Sequence, residues 1–176
     1  LGKRMRTHFG PNRGVSAARN TGTAMSRGKF IQYLDADDLL RAGTLAQRTA
    51  ALAAGADVAY SDWQKLQQRA DGGFVPAEIV SRTIEDVHPR AEIAFFTSFW
   101  CPPAAMLYRR SIVDAIGGWN EALPVIQDAR FSLDAALVGA RFVHVPGVGA
   151  DYRVLLGSSL STRDPIRFVL DCFHNA

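Results

Sequence analysis

The sequence has 176 residues, 48% hydrophobic and 21% charged, which predicts one folded domain over residues 1–176 and excludes a disordered or fibrous chain. The net charge is only +3 and the basic residues are scattered, which argues against nucleic-acid binding. The two cysteines, Cys101 and Cys172, form no CxxC pair, so a zinc site has no support and a reducing compartment is expected.

The first third of the chain alternates helical and strand patterns. Ser16 is placed as an N-cap before an alanine-rich stretch that stops at Gly28, which predicts a helix. The β-forming run at 29–34 predicts a strand buried on both faces. A second helix is predicted at 42–55 and a second strand at 56–62. This alternation is the βαβ pattern of an α/β fold.

The rest of the chain continues with shorter elements. Asp71, Gly72 and Gly73 give a turn signal that predicts a hairpin or excursion over 63–79. The other predicted elements are a strand at 104–108, a helix at 111–116, a helix whose apolar face carries Phe131, Ala135 and Val138, a strand at 141–145 and a final helix at 164–174.

Three carboxylates, Asp35, Asp37 and Asp38, follow the first predicted strand directly. In α/β sheets, ligands bind at the carboxyl ends of strands, where loops carry polar groups. Clustered carboxylates repel one another and gain from a cation, and their hard oxygen ligands suit Mg²⁺ or Mn²⁺. The alternative is that these residues only turn the chain and cap the next helix. Taken alone, the acidic cluster leaves both interpretations open.

The stretch NRGVSAARNTGTAMSRGKFIQYLDADDLL, at 12–40, resembles the first half of family-two glycosyltransferases with the GT-A fold. In that family a G-x-x-x-A-R-N-x-G segment, a helix and a strand lead into a DxD metal motif. The matching residues are Gly14, Ala18, Arg19, Asn20, Gly22, Asp35 and Asp37. The resemblance implies that Asp37 binds a metal ion, that Asp35 contacts the metal or the ribose, and that the Arg-Asn pair shapes the sugar-nucleotide site.

The second half extends the resemblance. RRSIVDAIGGWNEAL, at 109–123, is similar to the family's arginine, helix and G-G-F-D-E stretch, and residues 126–154 are similar to its Glu-Asp segment, helix, strand and closing Tyr-Arg. The resemblance makes Asp128 the catalytic base and adds Asp38 and Arg153 to the nucleotide-sugar site. Without the family, Asp128 reads as an acid favoured by the dipole of a helix N-terminus.

Some positions depart from the family or have two interpretations. Gln127 stands where the family often has Glu, and Leu155 stands where many members have a His that reaches the metal or diphosphate. His144 lies in an apolar strand, which favours a structural role. The three tryptophans, Trp63, Trp100 and Trp119, are candidates for stacking on an acceptor sugar, although core packing is the commoner role of such residues.

The resemblance implies an α/β fold of GT-A (Rossmann-like) type, with a mixed sheet flanked by helices. It implies inverting transfer of a sugar from a nucleotide-diphosphate sugar, with a UDP-sugar expected first, to a hydroxyl of a glycan, a lipid or another acceptor. Mn²⁺ or Mg²⁺ is the expected cofactor. No apolar stretch reaches the roughly 20 residues that a membrane helix needs, so we expect a cytoplasmic protein and leave a peripheral association with the inner face of the membrane open.

Family members carry two further strands before the part that resembles residues 1–13, so we expect the N-terminal part of the nucleotide-binding half to be missing here. The strand at 29–34 and a strand near RMRTHF would then lack neighbours. We expect either a homo-oligomer through this open sheet edge or a local refolding of residues 1–13 that covers it. Two other functions stay open. One is a non-catalytic or truncated GT-A-like binding module. The other is an Asp-dependent phosphohydrolase, although Asp38 and Leu39 stand where that class wants a small or β-branched residue.

Overall fold

The computed structural model describes residues 5–157 and Leu170. The helices are α1 (Val15–Met25), α2 (Thr44–Ala53), α3 (Ala91–Thr97), α4 (Arg110–Ala115) and α5 (Gln127–Leu137). The strands are β1 (Phe30–Gln32), β2 (Leu39–Leu40), β3 (Val58–Gln68), β4 (Phe74–Val80), β5 (Met106–Arg109) and β6 (Phe142–Val154). A 3₁₀ turn at Pro103–Ala105 leads into β5.

The strands of the described part form one mixed sheet in the order β1-β5-β3-β6-β2, with β4 paired to β3. Strand β5 runs antiparallel to both β1 and β3, whereas β3 and β6 are parallel. The mixed α/β sheet flanked by helices confirms the predicted fold class. The predicted βαβ pattern is corrected at β5, which lies between β1 and β3 in the sheet.

Side-chain alternation along β3 divides the core between the two faces of the sheet. Val58 and Tyr60 point into the larger cluster, which is rich in aromatic rings, while Ala59 points into the smaller one. The smaller cluster includes Leu52 from α2 and Leu107 from β5. Full burial of one such apolar side chain contributes about 1.5–3 kcal/mol, so packing on both faces fixes the sheet beneath its loops.

Several local predictions differ from the structure. Helix α1 begins after Gly14, so Ser16 lies inside the helix, buried, and not at the N-cap. Strand β1 is only three residues long, and Leu34 beyond it is 47% exposed rather than buried. In α5, Phe131 and Ala135 are buried as predicted but Val138 is exposed, because the helix ends at Leu137.

The hairpin over 63–79 is confirmed, and its turn contains Gly72 with a φ of 85°. Its strands belong to the main sheet, because β3 runs on from the predicted strand at 56–62 without a break. Residues 5–14 form no regular secondary structure and are exposed, so the strand expected near RMRTHF is not found at 5–9. The predicted final helix and Cys172 lie outside the described residues, Leu170 apart.

Helix α2 is attached to the sheet by a fully buried arginine. Arg48 Nη1 donates to Gln32 Oε1 at 2.9 Å and to the Ala104 carbonyl at 2.8 Å, and its Nη2 donates to Ser61 Oγ at 2.6 Å. These bonds tie α2 to β1, β3 and the turn before β5. In the described part of the chain, none of the helices has the length and apolar character needed to cross a membrane.

Candidate functional site

A cleft of about 940 Å³ opens where the loop after β1, the start of α5 and the end of β6 meet. The predicted site residues that line it are Arg19, Asp35, Asp37, Asp128 and Arg153. They come from four separate segments of the chain, so the fold brings together side chains that are more than a hundred positions apart. Two predicted site residues, Asn20 and Asp38, are not among those that line the cleft.

Asp35 is held by a forked ion pair. Arg19 Nη2 lies 2.6 Å from Asp35 Oδ1 and 2.8 Å from Asp35 Oδ2. The guanidinium also packs over the Trp119 ring, with its central carbon 4.2 Å from the ring centroid. The arginine therefore fixes the orientation of this carboxylate and offsets part of its charge. A cation bound at Asp35 would share the carboxylate with Arg19.

The other two acids of the cluster have opposite environments. Asp37 is exposed at the cleft and forms no ion pair or hydrogen bond with the described residues. Asp38 is buried, and its Oδ1 accepts the Arg153 backbone N–H at 3.0 Å while its Oδ2 has no partner. Burial raises the pKa of Asp38 to about 7, with the nearby carboxylates adding to the rise and the Arg153 N–H opposing it.

The donor chemistry of the loop fits a hard cation, but the protein supplies few ligands. Asp35 and Asp37 offer carboxylate oxygens at the cleft, which suit Mg²⁺ or Mn²⁺. Among the described residues, no three Asp, Glu, His or Cys side chains form a group that could hold a metal ion. Leu155 lines the cleft at the position where the resemblance expects a His. A bound metal would therefore need further oxygen ligands from water or substrate.

Asn20 binds to the loop after α4 and not to the cleft. Its Nδ2 donates to the Trp119 carbonyl at 2.9 Å and to Glu121 Oε1 at 3.0 Å, and its Oδ1 accepts the Trp119 N–H at 2.8 Å. A Cβ at Gly118, where φ is 85°, would lie 2.8 Å from that same Oδ1. Asn20 thus clamps a tight glycine turn and holds Trp119 beneath Arg19.

Arg153 reaches the cleft from the last part of β6. Its guanidinium lies 4.9 Å from the centroid of the Phe74 ring, and its Nε is buried without a partner. Its backbone holds Asp38, as described above. The residue therefore places a positive charge next to the acidic loop. An anionic ligand in the cleft would lie close to this positive charge as well as to the carboxylates of the loop.

Asp128 is the second residue of α5, and its carboxylate accepts two N–H groups. Its Oδ1 accepts the backbone N–H of Ala129 at 2.9 Å, and its Oδ2 accepts Trp100 Nε1–H at 2.9 Å. The residue before the helix, Ile126, has φ 54° and ψ 11°, a left-handed conformation that is strained for a β-branched side chain. Strain of this kind is typical of functional sites and here sets the direction in which α5 starts.

The three tryptophans have different roles in the structure. Trp119 is 3% exposed and stacks on Phe131 with ring centroids 4.0 Å apart, and Trp63 is 4% exposed. Trp100 is half-buried on the cleft wall, where it meets Trp63 and Tyr152 edge to face. Core packing is therefore confirmed for Trp119 and Trp63. The contact between Trp100 and Asp128 was not predicted, because no local pattern links residues 28 positions apart.

His144 lies away from the cleft lining. Its Nε2 is 2.7 Å from Asp62 Oδ1, and the other oxygen of Asp62 accepts the Gly147 N–H at 2.9 Å. The pair stabilises the irregular stretch where the register between β3 and β6 shifts. The structural role predicted for this histidine is confirmed by these contacts.

Similar folds occur in solved structures of S. aureus TarS. Residues 1–349 of TarS in complex with UDP match with a TM-score of 0.55 and 20% identity, over 81% of this chain and 40% of that one. TarS itself matches with a TM-score of 0.58 and 19% identity, over 80% of this chain and 24% of that one. A further structure of TarS residues 1–349 matches with a TM-score of 0.59 and 16% identity, over 92% of this chain and 52% of that one. The chain thus spans about half or less of these proteins.

The sequence comparisons give the family. No curated protein matches this chain. The family described as glycosyl transferase family 2 matches residues 3–117, well over half of the chain. The likeness to TarS shows the same GT-A-like fold, and the family match covers α1, the acidic loop and α4. The chain belongs to glycosyl transferase family 2.

Proposed function

We propose that the protein is an inverting, metal-dependent glycosyltransferase that moves a sugar from a nucleotide-diphosphate donor to an acceptor hydroxyl. The observation that supports this best is one cleft lined both by the acidic pair Asp35 and Asp37 and by the N–H-bonded carboxylate of Asp128. Donor activation and proton removal need separate carboxylates in one cavity, and this cleft provides them.

The donor would lie against the acidic loop. A UDP-sugar is the first candidate, because TarS, which shares the fold, is found in complex with UDP. Asp37, with Asp35 in support, would hold Mn²⁺ or Mg²⁺, and the metal's contribution would be to neutralise charge on the diphosphate. Arg153 contributes a positive charge on the same side of the cleft. Arg19 keeps Asp35 in a fixed orientation for this contact.

Asp128 would act as the general base. Its carboxylate takes the proton of the acceptor hydroxyl while that oxygen forms a bond to the anomeric carbon. The bond between the anomeric carbon and the diphosphate oxygen breaks on the opposite face, and its electron pair leaves with the nucleoside diphosphate. The configuration inverts and no covalent intermediate forms. The acceptor is a hydroxyl of a glycan, a lipid or another molecule that enters beside Trp100.

The general base is tested by Asp128→Asn in the full-length protein. The amide can still accept the Trp100 N–H but cannot take a proton, so we expect unchanged affinity for the donor and a kcat about a hundredfold lower or more. Asp134→Asn, on the same helix but paired with Arg130, is the matched control and should keep its turnover. Normal turnover in Asp128→Asn would show that this residue only caps α5.

The metal assignment is tested by calorimetry. Binding of Mn²⁺ together with UDP should be much weaker in Asp37→Ala than in the unsubstituted protein, because an exposed carboxylate at the cleft would be lost. Asp114→Ala removes the same charge from the exposed face of α4 and is the control. Equal binding by Asp37→Ala would remove the metal assignment. Tight UDP binding without turnover of any sugar nucleotide would favour a non-catalytic binding module.

A further inference from the structure

Trp100 joins the wall of the cleft to the start of α5. Its indole Nε1–H donates to Asp128 Oδ2 at 2.9 Å, and the ring itself is held in place by two other aromatic side chains. The Trp63 and Tyr152 rings meet it edge to face, with centroids 5.3 Å and 5.6 Å away. Trp63 and Tyr152 also touch each other, at 5.5 Å, so the three rings form a closed triangle.

This triangle restricts where the indole N–H can point. Trp63 belongs to β3 and Tyr152 to β6, which pair with each other within the sheet, so the Trp100 ring packs on two hydrogen-bonded strands. Trp100 itself follows α3 in the connection to β5, outside the helix that carries Asp128. A donor anchored on the sheet therefore fixes a carboxylate on a different element.

The second donor to Asp128 is local. The Ala129 N–H binds Oδ1, so each carboxylate oxygen accepts one N–H and keeps one lone pair free. Two donors from different directions define both the side-chain rotation and the direction of the free lone pairs. Without the indole N–H, only the contact with the helix backbone would remain. A general base that is displaced or turned away from its proton by a small amount contributes much less to the rate of the reaction.

We infer that Trp100 is a positioning residue for the proposed general base, acting through its indole N–H and not through its ring alone. This inference rests on the proposed function. The triangle of Trp63, Trp100 and Tyr152 would thus help to align Asp128 with the acceptor hydroxyl. Packing against Trp63 and Tyr152 then holds the Trp100 ring in the orientation in which its N–H donates to the Asp128 carboxylate.

The decisive substitution replaces Trp100 with the isostere 3-benzothienylalanine, which exchanges the N–H for a sulfur atom and keeps the shape of the ring. We expect kcat of the full-length protein to fall about tenfold or more, with the KM for the donor within about twofold of its original value. Trp100→Phe should show the same split. An isostere variant with unchanged kcat overturns the inference.

A double-substitution cycle shows whether the effect passes through Asp128. In the Asp128→Ala background the isostere should produce no further loss of kcat, because there is no carboxylate left to orient. A loss of the same size in both backgrounds overturns the positioning role, since the ring would then act independently of the base.

The hydrogen bond between Trp100 and Asp128 can also be tested by NMR, without an activity assay. In protein labelled with ¹⁵N at the indole nitrogen, the Trp100 N–H resonance should move upfield in Asp128→Ala, and an unchanged resonance overturns the inference whatever the kinetics. Absence of turnover with every sugar nucleotide would refute the proposed function and with it the catalytic purpose of the contact. The resonance shift would then still show that the contact exists, so the two failures are distinguishable.

Discussion

Asp38 is the carboxylate of the acidic loop that the fold buries. It is 5% exposed, accepts one backbone N–H from Arg153, and leaves its second oxygen without a partner. Removal from water raises its pKa to about 7 from an ordinary value of 3.8. Burying a protonated Asp38 is less unfavourable in free energy than burying an ionised one. The residue therefore links the acidic loop to β6 but lowers the stability of the protein at neutral pH.

The sign of the pH dependence follows from linkage. The folded protein binds this proton more tightly than the unfolded chain, so the stabilising contribution is complete below about pH 4 and is lost as the pH rises through about 7. From pH 5 to pH 8 we expect this carboxyl to lower the free energy of unfolding by roughly 2 kcal/mol.

Asp38→Asn tests this dependence. The amide keeps an acceptor for the Arg153 N–H and carries no charge, so the variant should lack the decrease between pH 5 and pH 8. Urea unfolding with a chelator present and without nucleotide measures it, and Asp114→Asn, at an exposed position, is the control. A decrease of the same size in Asp38→Asn and in the control would contradict the assignment.

At the scale of elements, the packing of α2 on the sheet depends on a close approach of backbone to side chains. Gly149 of β6 lies where a Cβ would be 2.6 Å from Arg48 Nη2 and would also collide with the hydroxyl oxygens of Thr44 and Ser61. Arg48 cannot move away, because its three hydrogen bonds hold it among buried groups. The φ of Gly149 is not in the left-handed region, so other residues could adopt its backbone conformation. Glycine is required here because there is no space for a side chain.

Gly149→Ala should destabilise the protein by about 1–3 kcal/mol, the usual cost of overpacking a filled interior. The matched control is Gly22→Ala in α1, where nothing lies within 4 Å of the added Cβ and the residue is exposed. That substitution should stabilise the helix by about 0.5–1 kcal/mol. Urea midpoints of the two variants measure the difference, and similar values would show that the interior near Arg48 is loosely packed.

The sequence predicted those elements whose signal is local. The periodicity of α2, the turn around Gly72 and the acids after β1 all depend on neighbours along the chain, and each lies where it was expected. Strand β2 was not predicted, because Leu39 and Leu40 become a strand only by pairing with β6. The insertion of β5 between β1 and β3 likewise depends on distant pairing.

The same limit applies to the candidate site. The resemblance selected Asp35, Asp37, Arg19, Asp128 and Arg153, which share one cleft. It gave no sign that Asn20 would clamp the glycine turn or that Trp100 would bind Asp128, because these contacts join residues 99 and 28 positions apart. Side-chain partners of this kind are set by tertiary packing and leave no spacing pattern.

At the scale of the whole molecule, β1 is the terminal strand of the sheet in the described part of the chain. Among residues 5–157 it pairs with β5 alone, and residues 5–14 form an exposed, irregular stretch. Unpaired backbone groups on such a strand are a template for another chain. The edge is also apolar at Leu34, which lies two residues beyond the end of β1 and is 47% exposed.

We therefore predict that the polypeptide of 176 residues self-associates through β1 when it is isolated. Light scattering should give a mass above the 19.2 kDa of one chain and a mass that increases with concentration. Leu34→Lys places a charge beside the open edge and should shift the population towards the monomer, as lysines do on natural edge strands. Leu137→Lys makes the same exchange at an exposed position of α5 and should leave the association unchanged. Self-association would also crowd the acidic loop next to β1, so donor hydrolysis should be slow in the oligomer. A chain that stays strictly monomeric and turns over a sugar nucleotide at an ordinary enzymatic rate would show that the edge is harmless.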